Sequence, residues 1–101
     1  MAKRISVTKR ARFVVRGLVQ GVNFRNAAVR EATARGLTGR VWNRDDGAVE
    51  LVVEGEEGTV AEFARWLRSG PRLAEVETVE RIDLPGERHY RDFSITYGPA
   101  S

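Results

Sequence analysis

Arg25 is the residue whose surroundings point most directly to chemistry. It follows Gly17-Leu18-Val19-Gln20-Gly21-Val22-Asn23-Phe24, a stretch with two glycines that ends one alternating segment and opens a helical repeat. A tight loop running into a helix N-terminus presents converging backbone N–H groups, and the helix dipole adds partial positive charge, so such a place suits a phosphoryl dianion. Gly17 and Gly21 supply backbone angles that a side chain forbids and let the chain approach an anion closely. Arg25 falls in the first helical turn, from which its guanidinium can make a two-point contact with phosphate oxygens. On its own this is a modest signal, because strand, glycine loop and helix occur in many folds that bind nothing there, and an isolated arginine is most often a solvated surface residue.

Other candidates carry blander readings. Asn43, just ahead of Asp45-Asp46-Gly47, reads on local chemistry as a turn residue. Trp42 reads as a packing residue on one sheet face. His89 lies in a polar loop and is expected to be exposed and inert, and Lys3, Arg4, Lys9 and Arg10 read as a solvated basic tail.

Composition removes several reaction classes. There is no cysteine, so no disulfide framework, thiolate metal site or cysteine nucleophile is available, and a single histidine cannot build a multi-histidine metal centre. Net charge is +3, with fifteen of the seventeen basic residues arginine, whose planar fork suits phosphate and carboxylate groups. The fourteen acidic residues weigh against nucleic acid as the partner. Residues 1–10 are basic but lack the apolar run of a signal peptide or membrane span, so a cytoplasmic protein without a membrane partner is expected.

The 101 residues suit one domain, read here as 11–98 behind a tail of residues 1–10. Phe13 and Val15 alternate with Arg12 and Arg16 in a first strand beginning near Ala11. Phe24, Ala28 and Ala32 line one face of a helix that runs to about Arg35 and is stopped by Gly36. Thr38 to Arg44 and the alternating Val49, Leu51 and Val53 form a hairpin around Asp45-Asp46-Gly47. Thr59 with Glu62 has the form of a capping box for a second helix, with Val60, Phe63, Ala64 and Leu67 on its apolar face and Ser69-Gly70-Pro71 at its end. Val76, Val79 and Ile82 suggest a fourth strand whose irregular step marks a bulge. Phe93, Ile95 and Tyr97 alternate in a short last strand. The order matches an α+β, ferredoxin-like βαββαβ sandwich, in which two helices cover one face of an antiparallel sheet.

The run Gly17-Leu18-Val19-Gln20-Gly21-Val22-Asn23-Phe24-Arg25 resembles the active-site signature of the acylphosphatase family, Gly-x-Val-Gln-Gly-Val-x-Phe-Arg, and Gly39 to Gly47 is similar to the family's second signature. The likeness continues through Glu54-Gly55, Arg65-Trp66-Leu67 and Phe93-Ser94-Ile95, covering roughly residues 11 to 97. It implies that Arg25 binds the substrate phosphate with the loop residues Leu18, Val19, Gln20, Gly21, Val22, Asn23 and Phe24, and that Asn43 positions the attacking water. Three positions depart from the pattern: Leu18 stands where a basic residue is common, Asn23 where glycine or an aromatic is usual, and Arg40 where an aromatic is frequent. None removes a catalytic group.

The chemistry agrees with that resemblance. An acyl phosphate releases a carboxylate whose conjugate acid has a pKa of about 4, so no general acid is required. Phosphoryl transfer is then chiefly a matter of position and charge. The implied protein is a monomeric, metal-independent hydrolase of small acyl phosphates, without a cofactor and with inorganic phosphate as product and competing ligand. Three rivals stand beside it. A ferredoxin-like nucleic-acid module would need paired aromatics on a central strand, which are not evident. A carbamoyl-phosphate-specific relative and a phosphate-binding domain without turnover are the other two.

Overall fold

The structure, a computed structural model, describes residues 7–100. Lys3 and Arg4, and with them most of the expected tail, lie outside the described residues. The elements are β1 (Thr8–Leu18), α1 (Phe24–Ala34), β2 (Thr38–Asn43), β3 (Val49–Glu56), α2 (Glu57–Ser69), β4 (Glu75–Leu84) and β5 (Phe93–Ile95). Strand order across the sheet is β4-β1-β3-β2-β5. Both helices pack on one face, where Phe13, Val15, Val41, Leu51 and Val53 of the sheet meet Phe24 and Ala28 of α1 and Phe63 and Leu67 of α2. The sequence pattern is amphipathic at these positions, and burying that apolar area is the main drive to this arrangement.

Several local readings are met by specific contacts. Gly36, at φ +71°, ends α1: its N–H bonds Thr33 O, and the N–H of Leu37 bonds Ala32 O, a paired closure that satisfies two of the last carbonyls. In β4 the irregular step is a bulge, for Arg16 pairs with Thr78 and Gly17 with Val76, leaving Glu77 as the extra residue.

Other readings are corrected. β1 begins at Thr8, three residues ahead of Ala11, because Lys9 and Arg10 pair with Gly55 and Glu54 of β3. The capping box at Thr59 is replaced by Glu56, whose carboxylate accepts from the N–H groups of Gly58 and Thr59 at 3.0 Å each, so α2 starts at Glu57 with Thr59 already inside it. β3 is buried on both faces through Gly55, since as the central strand it is covered on the helix-free face by the arginine side chains of β1. The sheet is mixed: β5 runs parallel to β2. Tyr97 is 93% exposed and outside β5, which ends at Ile95.

The parallel strand follows from where the chain crosses. After β4 the loop 85–92 passes over the end of the sheet that carries Arg10 and Thr38, and it is tied there by Glu54. This fully buried carboxylate accepts from Arg10 Nε at 2.8 Å, Thr38 Oγ1 at 3.1 Å, the N–H of His89 at 2.9 Å and the N–H of Tyr90 at 2.8 Å. His89 thus serves through its backbone, and its side chain is exposed as expected. Arg40 donates to Asp92 and lies 4.4 Å from the Tyr90 ring, so this departure from the family pattern belongs to the same brace.

Burial pushes the Glu54 carboxyl up, but the Tyr90 N–H, Arg10, the His89 N–H and Thr38 together outweigh it and leave its pKa below the usual value. A depressed folded-state pKa stabilises the fold above the unfolded value of about 4.3 and loses that stabilisation as pH falls. Glu54→Gln is expected to cost about 3 kcal/mol in urea unfolding at neutral pH, because Arg10 is left without its partner. The variant should also lose part of the wild-type fall in melting temperature on acidification below about pH 4.

Candidate active site

At the opposite end of the sheet, the loop between β1 and α1 faces the C-terminal end of β2. A cavity of about 140 Å³ there is lined by Val19, Gly21, Asn23, Phe24, Arg25, Asn26, Asn43 and Ile95. The two residues singled out from the sequence, Arg25 and Asn43, meet in this cavity although eighteen positions apart.

The loop takes its shape from left-handed backbone at Gly21 (φ +74°) and Asn23 (φ +67°). Asn23 is the one described residue other than glycine with positive φ, and asparagine is among the residue types that tolerate this conformation. Asparagine can therefore stand here where glycine or an aromatic is usual. Gly17 works differently from its expected role beside the anion. A Cβ there would stand 2.2 Å from Glu75 O, so its close approach is to the bulge of β4.

The start of α1 is left open to an anion. The first helical bond is Ala27 N–H to Asn23 O at 3.1 Å, so the N–H groups of Phe24, Arg25 and Asn26 have no acceptor within the helix. Asn23 does not cap it: its Oδ1 accepts from Asn26 Nδ2 at 2.9 Å, and no acidic residue lies in the first turn. The contrast is α2, closed by the Glu56 carboxylate with Glu57 beside it. Arg25, half-buried, forms no ion pair or hydrogen bond among the described residues, so its charge is available at the same spot.

Asn43 Oδ1 is buried and has no hydrogen-bond partner among the described residues. A buried amide oxygen without an acceptor role filled costs on the order of 1–3 kcal/mol, which makes it a place where a bound water or ligand restores the loss.

The remaining loop residues have other tasks. Gln20 Nε2 donates to Arg44 O at 2.8 Å and to Ala48 O at 2.9 Å, fixing the loop to the hairpin that carries Asn43. Phe24 is buried, with its ring centroid 5.8 Å from that of Trp66, which is itself stacked on Phe63, so it anchors the helix start. Val22 packs against the core, and Leu18 is exposed at the end of β1 and does not line the cavity. Trp42 is buried on the sheet, in keeping with a packing role.

Behind Asn43 the hairpin is rigidified by charge. Arg44 grips both oxygens of Asp46, at 3.1 and 2.9 Å, and reaches Glu50 at 2.9 Å, while Arg12 pairs with Glu50 and Arg16 with Asp46. The Ala48 N–H and Arg44 hold the Asp46 carboxyl down at a pKa of about 2.

Sequence reading alone did not find Asn26 and Ile95. Asn26 carries a weak signal, three residues after Asn23 on the same helix side. Ile95 carries none, since it arrives only through the parallel pairing of β5 with β2. The cavity's polar groups are amides and a guanidinium, suited to a phosphate, and no cluster of three His, Cys, Asp or Glu side chains occurs among the described residues.

Comparison with known proteins identifies the family and the fold. The family model described as Acylphosphatase matches residues 11–95. An acylphosphatase of Pasteurella multocida is 45% identical over 85 residues, covering 84% of this chain and 94% of that protein. The crystal structure of acylphosphatase from Bacillus subtilis superposes with a TM-score of 0.85 at 36% identity, covering 88% of this chain and 99% of the other. Full-length HypF, crystallised in a phosphate- and nucleotide-bound form, matches with a TM-score of 0.83 at 27% identity over 94% of this chain but only 12% of its own length.

Proposed function

The chain belongs to the acylphosphatase family and hydrolyses acyl phosphates, and from that premise we propose that Arg25 and the loop of residues 19–24 hold the phosphoryl group while Asn43 directs the attacking water. The observation that carries this division of labour is one cavity lined both by an uncapped helix start with the Arg25 guanidinium, unpaired among the described residues, and by Asn43, whose buried amide oxygen accepts from none of them.

The phosphoryl oxygens accept from the free N–H groups of α1 and from the Arg25 guanidinium, whose charge offsets the charge on the equatorial oxygens in the transition state. Asn43 Oδ1 accepts a hydrogen bond from the water, which turns a lone pair of the water oxygen toward phosphorus. The new P–O bond forms as the bond from phosphorus to the acyl oxygen breaks. The electron pair leaves with the carboxylate, and the water's proton passes to a phosphate oxygen. Amides, a guanidinium and water supply every group in these steps, so a metal ion has no task in them. Inorganic phosphate, as product, competes for the same cradle. The same proposal sets the protein in the cytoplasm as a monomer acting on a small substrate.

Attack at phosphorus is tested by running the hydrolysis of acetyl phosphate in water enriched in heavy oxygen. The label is expected in inorganic phosphate, and label in acetate instead would mean attack at the carbonyl carbon and would overturn the assignment of Asn43.

A further inference from the structure

We propose that the acyl group of the substrate crosses the open edge of β2 into a second cavity, where Tyr97 determines which acyl groups are favoured. This rests on the phosphate being held in the cradle as described above.

The second cavity, about 430 Å³, lies between the β2–β3 turn and the segment after β5. Trp42, Arg44, Tyr97 and Pro99 are among its lining residues, and Asn43 lines both this cavity and the cradle. A phosphoryl group and its water occupy the smaller space, so the rest of the substrate must leave it, and Asn43 marks where the two spaces adjoin.

The backbone leaves a passage at that point. β5 stops at Ile95, and the last bond it shares with β2 runs from the Thr96 N–H to Val41 O at 2.9 Å. On the other side of β2, the Arg44 N–H bonds Ala48 O at 2.8 Å. Hydrogen-bonding groups alternate between the two sides of a strand, so the N–H and C=O of Asn43 face the edge that β5 has left. An acyl carbonyl crossing this edge meets a backbone donor, and the group beyond it reaches Tyr97.

Tyr97 is 93% exposed, and the segment that carries it is tied to the sheet at its end, where Arg12 Nη2 donates to Ala100 O at 3.1 Å. A large aromatic so exposed at the rim of a cavity gains by covering an apolar ligand surface. The charge of the cavity narrows the class further. Arg44 is taken up by Asp46 and Glu50, while Asp45 forms no ion pair among the described residues. The site therefore has no spare cation for a second carboxylate and favours uncharged aryl or alkyl acyl phosphates.

Steady-state kinetics of Tyr97→Ala and Tyr97→Phe with benzoyl phosphate and acetyl phosphate, with inorganic phosphate as inhibitor, tests this. Tyr97→Ala is expected to raise KM for benzoyl phosphate roughly two- to tenfold. Its kcat, its KM for acetyl phosphate and the inhibition constant of inorganic phosphate should match wild type, and Tyr97→Phe should behave as wild type throughout. A Tyr97→Ala protein that treats both substrates alike, changed or unchanged, overturns the proposal. Failure of the cradle reading has a separate signature: wild-type hydrolysis that inorganic phosphate does not inhibit competitively.

Discussion

Arg25→Ala is expected to lose acyl phosphate hydrolysis by about three orders of magnitude or more, the scale on which a guanidinium supports phosphoryl transfer, and to lose measurable binding of inorganic phosphate with it. Both losses come from one cause. The residue stands in the first turn of a helix whose N–H groups are unspent, with no acid in that turn to neutralise it. Ground state and transition state both carry phosphoryl charge, so removing the cation weakens both. Because Arg25 makes no bond to the described residues, the melting temperature of the variant should stay close to that of wild type. Arg25→Lys should recover little, since an ammonium keeps the charge but not the two-point contact. Titration calorimetry with inorganic phosphate and a hydrolysis assay on the same samples check all three outcomes.

Asn43→Ala is expected to separate what Arg25→Ala removes together. Turnover should fall by about two to three orders of magnitude, as when one preorganised polar group is deleted from an active site, while affinity for inorganic phosphate changes little. The cradle donors belong to the loop and α1, which the substitution leaves in place. The hairpin keeps its shape because Gln20 holds it through backbone carbonyls of Arg44 and Ala48, without using the Asn43 side chain. Deleting an amide oxygen that has no partner among the described residues should also leave stability unchanged or slightly raised. Phosphate binding lost along with turnover would assign Asn43 to the cradle instead of to the water.

The two mutations bear on residues that were legible in the sequence for different reasons. Arg25 was visible in the local grammar, a glycine loop that ends a strand and opens a helix. Asn43 was ambiguous locally, since it precedes a turn, and only the family likeness distinguished it from a turn residue. The elements were readable wherever one face is apolar, as in α2 and the β2–β3 hairpin. What escaped depends on contacts between distant segments. The parallel direction of β5 is set by a loop pinned on Glu54, and Ile95 reaches the cavity only as a result. Glu56 as the cap of α2 escaped because a glutamate at a strand end resembles any surface acid until the helix turns back over it. The packing role of Gly17 escapes for the same reason, its close neighbours being Glu75 and Glu77 at the bulge of β4, far along the chain.

The most direct test of the account is hydrolysis of an aryl acyl phosphate by purified protein in the presence of a strong chelator, with Arg25→Ala and Asn43→Ala prepared in parallel. Full wild-type turnover is expected under chelation and its loss in both variants, with inorganic phosphate still bound by Asn43→Ala. Turnover abolished by the chelator, or retained when Arg25 is removed, would contradict it.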